Sequence, residues 1–234
     1  MDFKEQLEDI VSRSLQIDII EAEEAIALNM SIGSNADAIN NATFGAYFGS
    51  MQRILSRYAI LSVTKLFERA SKQYPTRSIP AALKVLSLAK NSLPISQRLI
   101  VLEKLAEFGY RKTDLESYVD SQITELIAKE FESRLPQVEL PDPMSRSLDA
   151  LRTVRDKSIA HHESIDTSIF PKATYGEMQE LLSYAKDFVS VIGFGYLNIV
   201  YRINGDYFLT SDAETSSRCL KRLLRKAEIT EATS

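Results

Sequence analysis

The chain has 234 residues, 44% apolar and 26% charged, with a formal net charge of −4 and a pI near 5.4. That is enough chain to bury a core, and the balance is that of a globular protein and not of a globally basic nucleic-acid binder, although a local basic patch remains compatible with it. A single cysteine, Cys219, excludes an intrachain disulfide and a cysteine-based zinc site, which suits a reducing cytoplasm.

Eight glycines and seven prolines are few, which favours helix over a turn-rich β fold. The N-terminus is acidic and amphipathic, without the basic start and apolar run of a signal peptide. Phe3, Leu7, Ile10, Val11, Leu15, Ile19, Ala22, Ala25 and Ile26 recur at helical spacing, so residues 3–29 are expected as one amphipathic helix. The Ser/Asn/Gly-rich stretch 31–41 reads as a loop.

A second long helix is expected over 42–73, ended by Gln73, Tyr74 and Pro75. Its Phe44, Tyr47, Phe48 and Tyr58 read as core by their spacing, and Arg53, Arg57, Glu68 and Arg69 as surface charge or as a border to a site. Short helices follow at 79–91 and 95–108, the latter stopped by Gly109. Thr113 and Glu116 read as a capping box opening a helix to Arg134.

Residues 135–143 hold three prolines and read as a connector. Asp142 and Pro143 then start a helix well. Phe170 and Pro171 break the chain, and Thr174 with Glu177 is a second capping box, for a helix reaching about Ile199. That helix carries the most apolar run, 188–201, which is shorter than the ~20 residues a bilayer needs and reads as a buried core helix. Gly193 and Gly195 lack the third glycine and preceding strand of a dinucleotide loop and read as a close packing point. Asn204 and Gly205 signal a hairpin, and 213–227 a terminal helix with a basic stripe at Arg218, Lys221, Arg222, Arg225 and Lys226. The fold class expected is all-α: a helical bundle with long antiparallel helices and a small C-terminal hairpin, a single domain over 1–234 with its core in about 1–200 and the hairpin and last helix in 201–234.

The chemically equipped segment is 152–163, where the only two histidines, His161 and His162, follow Arg152, Arg155, Asp156 and Lys157. Arginine grips phosphate oxygens and histidine exchanges protons near neutral pH. On a straight helix His162 lies about 20° from the azimuth of Arg155 and roughly 10 Å along the axis, whereas His161 lies about 120° away. A helix that ends or unwinds near Ala160 returns His161 to Arg155, so spacing alone does not choose between them. Adjacent histidines diverge, and no other His or Cys completes a set, which argues against a metal site. Ser158 has no evident orienting group for a nucleophile pair. The plain alternative is an exposed Arg155–Asp156 ion pair beside histidines that favour a helix C-terminus.

Arg155, Asp156, Lys157, Ile159, Ala160 and His161 resemble the signature of the HEPN superfamily (higher eukaryotes and prokaryotes nucleotide-binding): an arginine, then Asn, Asp or His, then histidine, late in an all-α bundle. Ile159 and Ala160 before the histidine make it most similar to the AbiU-like group linked to abortive phage infection, and the stretch from Tyr58 to Arg69 resembles that group's second helix.

The resemblance spans about residues 1–200 and implies a metal-independent endoribonuclease without a cofactor, a toxin-like effector with RNA as substrate. It implies that Arg155 stabilises charge on the scissile phosphate, that Asp156 orients its neighbours, and that His161 transfers protons as the RNA 2′-OH attacks phosphorus. His162 departs from the usual single histidine and is either a second acid/base group or incidental. A homodimer with a composite active site and a neutralising antitoxin partner are implied as well. The other class of function is a non-catalytic module that binds RNA, a nucleotide or a protein. The family pattern selects His161 and straight-helix geometry selects His162; we take His161, on a helix that bends or ends.

Overall fold

The computed structural model describes residues 2–69, 75–136, 142–160, 173–203 and 206–230. Helices dominate, and the chain is all-α apart from one two-stranded hairpin. Among the described residues no helix is long and apolar enough to cross a membrane.

Helix α1 (Phe3–Ile10) runs through a π-turn (Val11–Leu15) into α2 (Gln16–Gly33). The expected helix over 3–29 is therefore real but longer, and it is wound one residue wider where Gln16 N–H reaches the Val11 carbonyl. Leu7, Val11, Leu15, Ile19 and Ala22 are fully buried along it. The segment read as a loop, 31–41, holds the end of α2 and a short helix α3 (Ala36–Asn41). Its polar composition is overridden by Ile32 and Ile39, which are buried with Phe48, Leu220 and Leu224 in a second, smaller cluster.

Helix α4 (Gly45–Leu66) lies antiparallel to α2. The pairings set the direction: Lys65 Nζ is 3.2 Å from Asp18 Oδ1, and Asn29 Nδ2 donates to the Gln52 carbonyl at 2.9 Å. At its start Gly45 lies close to α3: a Cβ there would sit 2.2 Å from Asn40 Oδ1 and would turn that side chain aside. The end comes well before Pro75, because tertiary contacts capture it. Arg152 Nη2 donates to the Phe67 carbonyl at 2.7 Å, and Ser78 Oγ to the Glu68 carbonyl at 2.6 Å. Gln73 and Tyr74 lie outside the described residues.

Helices α5 (Ile79–Ala89) and α6 (Arg98–Glu107) fall where expected, and Gly109 takes a φ of +102° after α6. The expected helix from Thr113 to Arg134 is two. Thr113 lies inside the short α7 (Lys112–Glu116), and α8 (Asp120–Ser133) begins where Gln122 Oε1 accepts the Val119 N–H at 3.0 Å. Thr113 and Glu116 thus do not cap; burial of Leu115 places the turn there instead.

Asp142 Oδ1 accepts the Ser145 N–H at 3.0 Å and opens α9 (Pro143–Val154), which passes into a second π-turn, Arg155–Ala160. Phe170 and Pro171 lie outside the described residues. Thr174 and Glu177 exchange their capping bonds at the start of α10 (Tyr175–Leu197), which ends at Asn198 in the left-handed region. Leu181, Leu182, Ala185, Phe188, Val189, Ile192 and Tyr196 make α10 the middle of the core, where the Phe188 ring meets Phe131 edge to face. Gly193 and Gly195 are close packing points: a Cβ on either would come within 2.4 Å of the Tyr201 ring or 2.6 Å of Val101 Cγ2.

Strands β1 (Arg202–Ile203) and β2 (Asp206–Tyr207) pair antiparallel about residues 204–205, as the Asn-Gly signal predicts. Helix α11 (Ser211–Lys226) closes the described chain and packs on α2. One expectation about α4 is corrected. Phe48 is core, but Phe44, Tyr47 and Tyr58 are exposed, with Ile54 beside them, because α4 buries the adjoining face that carries Phe48, Ala59, Ser62 and Leu66, leaving the Tyr58 hydroxyl at the edge against Glu21 of α2.

Candidate functional site

Arg155 is the first residue of the second π-turn, held there by α9. The turn matters geometrically. A π-turn bonds i to i+5, so the 100°-per-residue count of a straight α-helix fails from Arg155 onward. Single π-turns recur at functional sites for this reason. The helix does depart from straight α geometry before Ala160; His161 and His162 themselves lie outside the described residues.

The Arg155 guanidinium is bracketed by two carboxylates. Its Nε donates to Asp156 Oδ1 at 2.7 Å and its Nη1 to Glu68 Oε1 at 2.8 Å. The Arg155 side chain is 21% exposed, against 57% for Asp156 and 42% for Glu68. The plain alternative is thus half present: the Arg155–Asp156 ion pair exists, but its arginine is mostly enclosed. Such an arginine is oriented by its partners and loses little freedom on meeting a further anion.

Glu68 stands where it does because α4 ends two residues earlier, at Leu66. Arg152, three residues before Arg155 and so on the same side of α9, grips the Phe67 carbonyl at 2.7 Å. That carbonyl is one of those a helix end leaves without an internal acceptor role, and a cation suits it. Burial, with the charges of Arg155 and Arg69 nearby, lowers the pKa of Arg152. Three arginine side chains therefore converge on the end of α4, with Glu68 among them. Lys157 is exposed, next along the turn.

The sequence marks Glu68 only as surface charge or as a border to a site, and it places Arg152 in the equipped segment without a role of its own. The resemblance of the stretch from Tyr58 to Arg69 to a family helix was the signal that pointed to Glu68. Nothing in the spacing of Arg152 distinguishes it from any other helical arginine. Among the described residues no group of three His, Cys, Asp or Glu side chains is placed to hold a metal ion.

The all-α fold is that of a HEPN-type domain. The match is specific: residues 3–214 fit the AbiU2 family of HEPN domains, and the chain belongs to that family, of the abortive-infection type. No curated relative and no solved structure matches the chain significantly.

Proposed function

We propose that this protein is a metal-independent endoribonuclease that cuts RNA by attack of a 2′-OH on the adjacent phosphorus, and that it acts in the cytoplasm as a toxin-like effector of phage defence, held in check by an antitoxin. The observation that carries the reading is the Arg155 guanidinium, oriented by Glu68 and Asp156 on a π-turn, in a member of an abortive-infection HEPN family.

In this reading the O2′–P bond forms and the P–O5′ bond breaks. The proton leaves the 2′-OH for a base, and another is delivered to the departing 5′ oxygen. The products are a 2′,3′-cyclic phosphate and a 5′-OH. Arg155 stabilises the charge that builds on the phosphoryl oxygens, where positioning and neutralisation contribute most. Asp156 holds Arg155, and His161 exchanges the protons, with His162 as the alternative. Each motif brings few proton-transfer groups, so two copies sharing a composite site complete the set.

A homodimer has support in α4. Phe44, Tyr47, Met51, Ile54 and Tyr58 follow the alternating three-and-four spacing of a coiled-coil seam. Tyr47 is 62% and Ile54 66% exposed, which is an apolar stripe suited to a second copy of itself. The domain is taken as single over the whole chain.

Purified protein incubated with RNA in excess chelator should release cyclic-phosphate ends. Arg155→Ala and His161→Ala should each stop cutting, and full activity in both would sink the assignment. The non-catalytic alternative draws on the same carboxylate bracket, because Glu68 and Asp156 already occupy donors of Arg155 that a phosphate would use. Tight RNA binding without cyclic phosphate would establish it.

A further inference from the structure

The chain is acidic overall, at −4, yet the C-terminal half of α11 is strongly basic. Arg218, Lys221, Arg222, Arg225 and Lys226 are all exposed, and none forms an ion pair with a described carboxylate. At about 100° per residue the five fall within an arc of roughly 140°, over about 12 Å of helix axis. Leu220 and Leu224 lie on the opposite side and are buried against Ile32, Ile39 and Phe48. The cations therefore form one solvent-facing ridge on a helix that the core holds in place.

Complementing the helix dipole accounts for part of this only. The dipole acts within the last turn, which holds Arg225 and Lys226, whereas Arg218 begins two turns before the end. A membrane surface is the poorer fit. An interfacial helix binds by burying its apolar face in the lipid, and α11 has already spent that face on α2 and α4. A ridge of cations on a helix that buries Leu220 and Leu224 in the core and exposes one large apolar side chain, Leu223, has too little apolar surface to insert and fits a flexible polyanion that lies across it. The ridge also falls past residue 214, where the family match ends, so it is a feature of this chain's own C-terminal helix.

We propose that this ridge of α11 binds the phosphate backbone of single-stranded RNA and holds the substrate away from the cut. The proposal rests on the reading that RNA is the substrate. The ridge is anchored beside Phe48, near the start of α4, while Glu68 and Arg155 meet beyond its end. Those two places are twenty residues apart on one helix axis, or about 30 Å. The ridge accordingly contacts nucleotides remote from the scissile phosphate, so it matters for long RNA and not for a dinucleotide.

The test uses full-length protein carrying Arg155→Ala, so that RNA is bound without being cut. Binding of a fluorescent single-stranded RNA 20-mer is followed by anisotropy across a salt series, with and without Lys221→Ala, Arg222→Ala and Arg225→Ala together. The triple variant should bind at least tenfold more weakly at low salt. Its slope of log K against log salt should shrink by about 2, since each lost phosphate contact removes about 0.7. Lys221→Arg, Arg222→Lys and Arg225→Lys together should preserve binding, and thermal melts should show both variants folded.

Unchanged affinity and slope in the alanine variant overturn the proposal. So does loss of binding to phosphatidylserine vesicles with RNA binding intact, which would give the ridge to a membrane. The two readings separate cleanly. RNA binding through α11 without any cyclic phosphate from the wild type leaves this proposal standing and removes the nuclease. Cleavage of long RNA as fast as the wild type by Lys221→Ala, Arg222→Ala and Arg225→Ala in a chain that keeps Arg155 does the reverse, and that variant should still cut a dinucleotide at the wild-type rate.

Discussion

Arg155 Nη1 and Glu68 Oε1 meet at 2.8 Å, joining a π-turn to the segment just beyond α4 across 87 residues of sequence. The contact turns a short local motif into part of a tertiary site. It also makes Glu68, with Asp156, one of the two carboxylates that set how the guanidinium points. Arg152 supports it from one turn away by fixing the Phe67 carbonyl.

Glu68 is a positioning residue in this scheme. Glu68→Ala should lower kcat for RNA cleavage by about 10- to 100-fold, because a misplacement of about 1 Å in a reacting group costs this much. KM should change little. Single-turnover kinetics with a defined RNA check this, and Glu68→Gln should recover part of the rate, as its amide oxygen can still accept from Nη1. A wild-type kcat in Glu68→Ala would show that Arg155 is oriented by Asp156 alone.

The exposed stripe of α4 should seal a dimer. Ile54→Glu should convert a dimeric mass to a monomeric one in size-exclusion chromatography with light scattering, since a charge in an apolar seam is costly. A composite site also requires the two α4 helices to run parallel. An antiparallel pair centred on Met51 in that seam would hold the two Arg155–Glu68 contacts about 50 Å apart, since Glu68 lies 17 residues beyond Met51. Tyr58→Cys in a Cys219→Ser background should therefore form an intermolecular disulfide under mild oxidation. A monomeric wild type, or no crosslink from a dimer, would contradict this arrangement.

Asp142 caps the helix that delivers Arg155, accepting the Ser145 N–H at 3.0 Å and a bond from the Ser145 hydroxyl. Ser145 lowers the pKa of Asp142, through its side chain first. Asp142→Ala should cost about 0.5–2 kcal/mol in urea unfolding at neutral pH, the usual worth of such a cap. The depressed pKa means the cap is intact above the normal aspartate range and fades as pH falls through it, so the gap between wild type and variant should close in acid. A gap that is unchanged at low pH would mean the charge plays no part.

Asp18 behaves oppositely. Burial raises its pKa, with Lys65 at 3.2 Å pulling the other way. The native carboxyl therefore keeps a proton that the unfolded chain releases, and stability falls as pH rises through the range just above the ordinary aspartate value. Asp18→Asn removes the titrating group and nearly keeps its shape. The wild type should lose stability relative to Asp18→Asn as pH rises above the ordinary aspartate range, measured by urea unfolding of both. A constant difference would show that Lys65 fully offsets the burial.

Much of the secondary structure was legible because its causes are local. Asp142 with Pro143, and Thr174 with Glu177, satisfy the first amides of their helices from within four residues. Where a local signal failed, a distant contact had prevailed. The polar run 31–41 is largely helical because Ile32 and Ile39 meet Leu220 and Leu224. Helix α4 stops at Leu66, and not near Pro75, where Arg152 and Ser78 take the next carbonyls. The exposed aromatics of α4 misled for a related reason: spacing marks an apolar face but not what covers it.

The sequence by itself determined the all-α class and the family, since periodicity, caps and a short motif are all written in neighbouring residues. Only the tertiary structure decided that Arg155 is braced by Glu68 and backed by Arg152, that the helix widens into a π-turn at the motif, and that α4 and α11 show solvent an apolar seam and a basic ridge. Those features depend on which faces pair between distant parts of the chain, across 87 residues for Arg155 and Glu68, and side-chain packing, not local propensity, sets that choice.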